Sequence, residues 1–271
     1  MNITYVVLRL IRHFLPEPFL QFILQRQIII KPGYETRLPL QAAENYLKSL
    51  RDNKTNIENK DILIFGYGGN LHIACLLLEA GAKKIVLLEQ ESFPNKKIAR
   101  GLFEQFPQYF SKSDGHICED EKFMQIIHAN ITEIAGTAQL MPVDIVLSAS
   151  VFEHLTDVES VTQALAVATK KGGLNLHFID LRGHFFRFPF EMLRFSESAW
   201  IRWLNPSSNL NRYRSWQYKK IFQKYFSKAQ VIVDARDEEN FSKMESNIRP
   251  EFLSGDRQVD SITNIHVLAT K

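Results

Sequence analysis

The sequence predicts an α/β protein with a doubly wound, mostly parallel sheet, and three observations support this fold class. Short apolar runs alternate with helical patterns from residue 61 onward, as in proteins whose strands are joined by crossover helices. A glycine cluster separates the first apolar run from the first helical pattern. Polar residues follow the apolar runs, where ligands bind in open parallel sheets.

The first strand, turn and helix form the unit around which the chain is organised. Residues 62–65 predict a strand, 66–69 (Gly-Tyr-Gly-Gly) a turn, 71–80 a helix and 85–88 a second strand. Glycine permits a positive φ and has no Cβ to hold a ligand away from the backbone. Glu89 follows the second strand, about twenty residues past the turn, where a carboxylate can accept hydrogen bonds from ribose hydroxyls. The unit therefore predicts a nucleoside-containing ligand.

The remaining elements continue the alternation. The pattern predicts helices over residues 94–106 and 158–169, a loop over 111–121, and strands over 123–129, 144–148, 174–181, 230–233 and 262–269. Gly172 is predicted as the C′ residue of the second of these helices, after two lysines that suit a helix end. The residues expected at the carboxyl ends of the strands are Gly66, Glu89, Asn130, Ser148 and Asp180.

Composition excludes several classes of protein. A chain of 271 residues that is 45% hydrophobic can bury a full core. The formal net charge of +3 comes from dispersed lysines and arginines, which disfavours nucleic acid as a partner. The two cysteines, Cys75 and Cys118, provide neither metal-site spacing nor a disulfide framework. The reducing cytoplasm is the expected location.

Residues 1–50 predict an N-terminal helical extension of a main domain over residues 51–271. Helices are expected over 3–14, 19–26 and 39–50, with Asn53 as the stop of the third. Charged residues and prolines interrupt the first thirty residues too often for a membrane span. One interpretation is that these helices pack on the main domain or on a second subunit. The other is peripheral membrane contact through residues 1–30, with Arg9 and Arg12 reaching the surface beside Val6, Leu10 and Phe14.

An aromatic-rich insertion over about residues 182–226 follows the fifth strand of the main sheet. Its residues include one histidine and many aromatic side chains, among them His184, Phe185, Phe186, Phe188, Phe190, Phe195, Trp200, Trp203, Tyr213, Trp216 and Tyr218. Such side chains provide a large contact area at a low cost in rotamer entropy. The insertion is either a substrate lid or a small helical subdomain with its own core. The charged residues 234–260 are expected to be a surface excursion.

Five segments resemble, in order, motifs of the class I S-adenosylmethionine-dependent methyltransferases. They are ILIFGYGGN, IVLLEQ, IIHANITEI, DIVLSASVFEHL and KKGGLNLHFIDLRGH, within roughly residues 30–235. The resemblance implies a Rossmann-like seven-stranded sheet with an antiparallel C-terminal hairpin edge, and S-adenosylmethionine as cofactor. Asn70 stands where many members have a third glycine, and Ile64 where many have an acid. Leu71 disfavours NAD, whose pyrophosphate requires a small residue there.

The resemblance also implies a set of cofactor-binding residues. These are Gly66, Tyr67, Gly68, Asn70, Glu89, Asn130, Ile131 and Ser148. Asn130 would accept a hydrogen bond from the adenine amino group, or else cap the turn that follows it. Tyr34 and Arg37, in the entry segment, are either further contacts or surface residues.

The candidate catalytic residues are His184, His154 and Asp180, which follow two adjacent predicted strands. Methyl transfer to an OH or NH group needs a proton acceptor, and a histidine suits that task. Glu153-His154 also resembles the E-x-x-E-H element of metal-assisted O-methyltransferases. Ser150 replaces its first Glu, so no metal is predicted.

We therefore expect a methyltransferase acting on a small-molecule, glycan or lipid-linked acceptor. Two alternatives stay open at this point. One is an NAD(P)-dependent oxidoreductase with the same sheet. The absence of a Tyr-x-x-x-Lys pair from the sequence weighs against it. The other is a catalytically silent, methyltransferase-like binding module, which Ile64 and Asn70 keep in consideration.

Overall fold

The computed structural model describes residues 2–14, 37–90, 93–94, 96–113, 116–183, 188–205 and 210–271. Several predictions lie outside these residues: the helix over 19–26, the contact of Tyr34 with a cofactor and the position of His184. The Arg12 side chain, predicted to reach a membrane surface, is not described either.

Seven strands form the central sheet: β1 (Asp61–Phe65), β2 (Lys84–Glu89), β5 (Met124–His128), β6 (Val143–Ala149), β7 (Thr169–Asp180), β8 (Lys228–Arg236) and β9 (Ile262–Thr270). Their order is β5-β2-β1-β6-β7-β9-β8. The first five strands in this order run parallel, whereas β9 is antiparallel to both β7 and β8. The predicted doubly wound, mostly parallel sheet with an antiparallel C-terminal edge is confirmed.

Helices cover both faces of the sheet and the region beyond its carboxyl end. They are α1 (Ile3–Phe14), α2 (Pro39–Asp52), α3 (His72–Glu79), α4 (Lys96–Gln105), α5 (Ile131–Ile134), α6 (Val158–Val167), α7 (Glu197–Ala199), α8 (Ser215–Tyr225), α9 (Glu238–Met244) and α10 (Arg257–Asp260). Short 3₁₀ turns lie at Pro107–Tyr109, Phe152–His154, Glu191–Arg194, Glu245–Asn247 and Pro250–Phe252, and a π turn at Trp200–Leu204.

The side chains of β1 show why this strand lies at the centre of the sheet. Ile62, Leu63 and Ile64 are all fully buried. Ile62 and Ile64 belong to one core cluster and Leu63 to the other, because successive side chains of a strand point to opposite faces. A strand buried on both faces is continuously apolar. Ile64 is therefore an ordinary core residue, at the position where many proteins of the resembling class have an acid.

Residues 111–121 are not a loop, contrary to the prediction. β3 (Phe110–Ser113) and β4 (His116–Glu119) form a separate two-stranded antiparallel sheet. Tyr109 and Phe110 are both buried in the first core cluster, so the polar hairpin is anchored by apolar side chains at its base. The polar composition of the segment concealed this pairing.

Gly172 is not a helix C′ residue, because α6 ends earlier than predicted and has Ala168 as its C-cap. Gly172 lies in β7 with φ at 77°, and its N–H donates to the Lys271 carbonyl over 3.0 Å. The pairing of β6 with β7 passes from Val143–Thr169 to Ile145–Leu174. A glycine with positive φ is typical of such a bulge.

A third core cluster lies beyond the carboxyl end of β7, and it includes residues from three separate parts of the chain. Its buried members are Tyr5, Phe190, Met192, Leu193, Trp200, Leu204, Leu210, Phe241, Ile248 and Phe252. The prediction that residues 234–260 form a surface excursion is therefore wrong. Phe241, Ile248 and Phe252 are buried against apolar side chains of the aromatic insertion. The insertion and residues 234–260 share one core.

The helix predicted over residues 3–14 is present as α1, but its orientation differs from the expected one. Arg9 is fully buried and its Cζ lies 4.8 Å from the centroid of the Trp200 ring. Val6 and Leu10 are half-buried against the third core cluster. The expectation that Arg9 reaches a membrane surface beside Val6 and Leu10 is wrong, because this face of α1 packs inward.

Candidate functional site

The glycine turn after β1 has a backbone with positive φ angles, a conformation that favours glycine. The φ angles are 80° at Gly66, 62° at Gly68 and 78° at Gly69, a region that other residues enter only at a cost. A Cβ on Gly66 would overlap Cγ2 of Val151 and lie 3.1 Å from its Cγ1. The turn is thus held against the residues that follow β6, the strand next to β1.

Glu89, at the end of β2, is joined directly to this turn. Its Oε2 accepts a hydrogen bond from the backbone N–H of Gly68 over 3.2 Å, and its Oε1 accepts one from the N–H of Gln90 over 2.9 Å. The carboxylate is therefore fixed beside the turn, where the sequence predicted the ribose-binding acid.

Asn70 lies at the start of α3 and is 4% exposed. Its Oδ1 accepts a hydrogen bond from the His72 N–H over 3.0 Å, which satisfies one of the unpaired donors at the beginning of a helix. A helix-initiating Asn thus occupies the position where many proteins of the resembling class have a third glycine. Leu71, beside it, is buried in the first core cluster.

Tyr67, in the glycine turn, has a side chain that points into the core and carries a buried hydroxyl. Its side chain is fully buried, and its hydroxyl has no hydrogen-bond partner among the described residues. Burial raises the pKa of this hydroxyl above its ordinary value, and the charges of Glu89 and Glu119 add to the effect. The hydroxyl is therefore neutral and can donate a hydrogen bond.

Asn130 follows β5 and caps α5. Its Oδ1 accepts hydrogen bonds from the Thr132 N–H over 3.0 Å and from the Thr132 hydroxyl over 2.9 Å. The Asx-cap interpretation of Asn130 is thus observed, and an adenine contact stays a prediction. Ile131 is 2% exposed and packs in the second core cluster.

Ser148 lies inside β6 and is fully buried. Its hydroxyl is hydrogen bonded to Nδ1 of His177, on the neighbouring strand β7, over 2.8 Å. Burial lowers the pKa of His177 to about 3, so its ring is neutral. A cofactor contact by Ser148 stays a prediction, and the partner of its hydroxyl in the structure is His177.

The chain leaves β6 through a strained residue and a tight turn. Ser150 has φ at 56°, which is unusual for a residue with a Cβ and is commonly found at functional sites. The Phe152–His154 turn follows, and the His154 N–H donates to the Val151 carbonyl over 2.9 Å. His154 itself is half-buried.

Asn211, from the aromatic insertion, holds this turn in place. Its Nδ2 donates to the carbonyls of Phe152 and Leu155 over 2.7 and 3.0 Å, and its N–H donates to the Glu153 carbonyl over 2.8 Å. Three carbonyls of the turn are thus bound by one residue, 57 positions after His154 in the chain. The sequence contains no local signal for this contact.

Glu153 is a buried acid that the sequence identified only as a neighbour of His154. It is 3% exposed, and its Oε2 has no hydrogen-bond partner in the described part of the chain. Burial raises the pKa of this carboxyl to about 8, and the charge of Asp180 adds to the effect. Glu153 is therefore mostly protonated at neutral pH.

Asp180, at the end of β7, is paired with Arg182. Its Oδ1 accepts from the Arg182 Nε over 2.9 Å, and its Oδ2 from the Arg182 Nη2 over 2.7 Å. The bidentate pair neutralises the carboxylate. Its predicted role beside His184 stays a prediction, because His184 lies outside the described residues.

A cleft of about 680 Å³ opens beside the end of β7. It is lined by Asn2, Phe188, Pro189, Phe190, Glu191, Arg194, Asn240, Lys243, Met244 and Asn247. The Gly183 N–H donates to the Pro189 carbonyl over 3.0 Å, which ties the wall of the cleft to the residues that follow β7. Across the described ranges, no group of three or more His, Cys, Asp or Glu residues could hold a metal ion.

Comparison with known proteins identifies the fold. No protein-family model matches the sequence, and neither does any curated protein. A candidate O-methyltransferase from Nostoc punctiforme superposes with a TM-score of 0.50 at 14% identity, over 86% of this chain and 57% of that one. This chain has the class I methyltransferase fold. An S-adenosylmethionine-dependent methyltransferase from Mesorhizobium loti is similar over 85% of this chain and 98% of its own, with a TM-score of 0.47 and 13% identity.

The class I methyltransferase fold accounts for the position of the candidate residues. The ends of β1, β2, β6 and β7 meet at one edge of the sheet, because these strands run parallel and adjacent.

The chain spans 57% of the length of the Nostoc punctiforme protein, so it corresponds to part of that protein.

Proposed function

We propose that this protein is an S-adenosylmethionine-dependent methyltransferase that acts on a small-molecule, glycan or lipid-linked acceptor. The observation that carries the proposal is the junction of Glu89 with Gly68. It places a carboxylate beside a glycine turn at the edge of the sheet where class I folds bind nucleosides. The proposal therefore rests on the cofactor site rather than on a recognised acceptor.

The residues at this edge fit the cofactor. Gly66 and Gly68 present backbone without side chains, and a nucleoside can approach such backbone closely. Glu89 is held where it can accept hydrogen bonds from ribose hydroxyls. Leu71 packs in the core at the position where a dinucleotide fold has its third glycine, which favours a cofactor without a pyrophosphate.

S-Adenosylmethionine supplies a methyl group bonded to a sulfonium, so the protein mainly has to align the acceptor and remove its proton. His154 and His184 follow the adjacent strands β6 and β7 and are the proposed proton acceptors. Asp180 is paired with Arg182, so its carboxylate oxygens are already occupied by hydrogen bonds. We assign Asp180 a positioning role.

The cleft beside β7 is the proposed acceptor site. Phe188 and Met244 offer apolar surface, whereas Arg194, Lys243 and Asn247 offer donors. Arg194 is fixed by Glu191 and Asn247 over 3.1 Å each, so its guanidinium is oriented before an acceptor binds. These groups suit an acceptor that has both an apolar part and an acceptor-rich polar part.

One observation favours a second candidate, a catalytically silent binding module. Ile64 is fully buried where many family members have an acid that helps to hold the cofactor. A protein without that acid could keep the fold and bind a different ligand. Transfer of label distinguishes the two candidates.

The test is transfer of tritium from S-adenosylmethionine labelled in its methyl group to pooled lipid, glycan and small-molecule extracts. We expect label in one pool, and we expect the Glu89→Ala variant to transfer much less. Binding of S-adenosylmethionine without transfer to any pool would support the silent module. Binding of NAD in place of S-adenosylmethionine would support the oxidoreductase.

A further inference from the structure

Helix α1 presents apolar residues to the outside and Arg9 to the inside. Tyr5 and Arg9 are fully buried, whereas Ile3, Val7, Leu8, Ile11 and Phe14 are 39–71% exposed. Residues 3, 7, 11 and 14 recur at the spacing of one helical face. A helix that faces water shows the reverse pattern, with charged residues outside. The outward side of α1 therefore suits an apolar environment.

The π turn at Trp200–Leu204 extends this face. Ile201 is 63% exposed and Trp203 is 43% exposed. The His13 ring lies 5.7 Å from the Trp203 ring, which joins the turn to the end of α1. We call the exposed side chains of Ile3, Val7, Leu8, Ile11, Phe14, Ile201 and Trp203 the outer face.

The two segments that form the outer face contain arginines and no acids. Neither α1 nor the π turn contains an Asp or Glu; besides the buried Arg9, α1 contains Arg12 and the π turn contains Arg202. The nearby Glu197 is paired with Arg212. The Arg202 guanidinium lies 5.2 Å from the Trp203 ring centroid. A tryptophan beside cationic groups at the border of an apolar surface is typical of the lipid–water interface. The positive sign complements anionic lipid head groups.

The size of the outer face favours lipid over a second copy of the chain. Stable protein interfaces use roughly 20–30 residues of all kinds on each side. Helix α1 has 12 residues and the π turn has five, and Tyr5, Arg9, Trp200 and Leu204 among them are buried. No described helix is long and apolar enough to cross a membrane. Insertion to the depth of the acyl boundary is thus the mode that this face fits.

The outer face lies on the same end of the molecule as the acceptor cleft. Asn2 precedes α1, lines the cleft, and donates its N–H to Glu191 Oε1 over 2.8 Å. A Cβ on Gly183, which follows β7, would lie 3.3 Å from the Tyr5 hydroxyl. Helix α1 therefore lies next to the residues that connect β7 to the aromatic insertion.

We propose that the outer face docks on the surface of an anionic lipid membrane. Docking would bring the cleft to the lipid surface. If the proposed methyltransferase function also holds, the acceptor would be an amphiphile that enters from the membrane. The docking itself rests only on the outer face and its charges.

The test is flotation of the full chain with vesicles of phosphatidylcholine alone, or with about 30% phosphatidylglycerol, without cofactor. We expect flotation with the anionic vesicles that falls as salt is raised. Val7→Glu combined with Ile11→Glu should weaken binding at least tenfold, because two inserted side chains are lost. Met141→Glu with Val167→Glu is the matched control, since these residues are exposed elsewhere at 70% and 42%; it should retain binding.

Three outcomes would overturn the proposal. The unmodified chain could fail to float with anionic vesicles, or the control variant could lose binding as much as the outer-face variant does. Light scattering could also show that the chain is a dimer and that only the outer-face variant is a monomer. That result would mean that the face binds a second copy of the chain. Titration of S-adenosylmethionine in parallel separates this proposal from the proposed function, because normal cofactor binding without flotation contradicts the docking alone.

Discussion

The carboxylate of Glu89 accepts a hydrogen bond from the backbone N–H of Gly68 over 3.2 Å, across 21 positions of sequence. The bond connects the end of β2 to the turn that follows β1 and so fixes the position of the carboxylate. A preorganised carboxylate loses less entropy when a ligand binds. This arrangement underlies the proposal that a nucleoside binds at this edge of the sheet.

Gly66→Ala should destabilise the protein by about 1–3 kcal/mol, because the new Cβ would occupy a positive-φ residue. The same Cβ would also overlap Val151. Val151→Ala in the same chain should restore part of the loss by removing the overlap, but not the part due to φ. Urea denaturation measures both variants.

Gly101→Ala is the matched control for that substitution. Gly101 lies in α4, and a Cβ there would meet nothing within 4 Å. Alanine is favoured over glycine in a helix by roughly 1 kcal/mol, so this variant should be as stable as the unmodified protein or more so. Equal losses for Gly66→Ala and Gly101→Ala would contradict the assigned geometry of the turn.

Glu153 should make stability depend on pH. Its pKa is about 8 in the folded protein and 4.5 for a glutamate side chain in water, so the folded state holds the proton more tightly. Below pH 4.5 the full contribution to stability is present; between the two values the unfolded state alone ionises, and stability falls as pH rises to about 8. Glu153→Gln cannot ionise and should lack this loss.

The measurement is the free energy of unfolding of the unmodified protein and of Glu153→Gln at pH 5, 7 and 9. As pH rises, the unmodified protein should lose free energy of unfolding relative to the Glu153→Gln variant. Glu104→Gln serves as control, since Glu104 is exposed and its replacement should leave the profile unchanged. Parallel profiles for the unmodified protein and Glu153→Gln would show that Glu153 ionises normally.

Asn211→Ala should destabilise the protein by roughly 1–3 kcal/mol, because it removes the side-chain amide that donates to the Phe152 and Leu155 carbonyls. Tyr218→Phe removes a second side-chain donor to the Phe152 carbonyl, the Tyr218 hydroxyl at 3.2 Å, and should cost less. Since the Tyr218 hydroxyl also binds Asn211 Oδ1, the two losses should not be additive in a double-mutant cycle. Strict additivity would mean that the two residues do not act as one clamp.

Replacing the proposed proton acceptors should affect turnover and not cofactor binding. His154→Ala or His184→Ala should lower turnover by about a hundredfold or more for an OH or NH acceptor, with the affinity for S-adenosylmethionine nearly unchanged. His266→Gln is the control, because His266 is bonded to Asp234 on the hairpin edge. Full activity of the His154 and His184 single variants and of their double variant would show that the acceptor needs no histidine base.

The sheet and the glycine turn were predictable because their signals are local. The buried run Ile62–Ile64 and the four residues after it contain the information for strand, turn and positive φ in adjacent positions. The spacing from the turn to Glu89 is fixed by one helix and one strand. A single segment thus identified the acid that later proved to be bonded to Gly68.

The rest of the site depends on contacts between distant residues, which the sequence does not display. Asn211 reaches the turn at Phe152, and Ser148 meets His177 only because β6 pairs with β7. The inward orientation of Arg9 depends on Trp200, nearly two hundred residues away. Local patterns cannot specify such partners, and composition alone suggested a surface excursion where Phe241 is buried.

Calorimetric titration with S-adenosylmethionine, applied to the unmodified protein and to Glu89→Ala, tests the central claim most directly. We expect the unmodified protein to bind S-adenosylmethionine and not NAD. Glu89→Ala should bind it about ten- to a hundredfold more weakly, because hydrogen bonds to a charged group contribute roughly 1.5–3 kcal/mol. Glu104→Ala, in an exposed position of α4, should bind it normally. Unchanged affinity in a folded Glu89→Ala variant, or no binding of S-adenosylmethionine by the unmodified protein, would contradict the assignment.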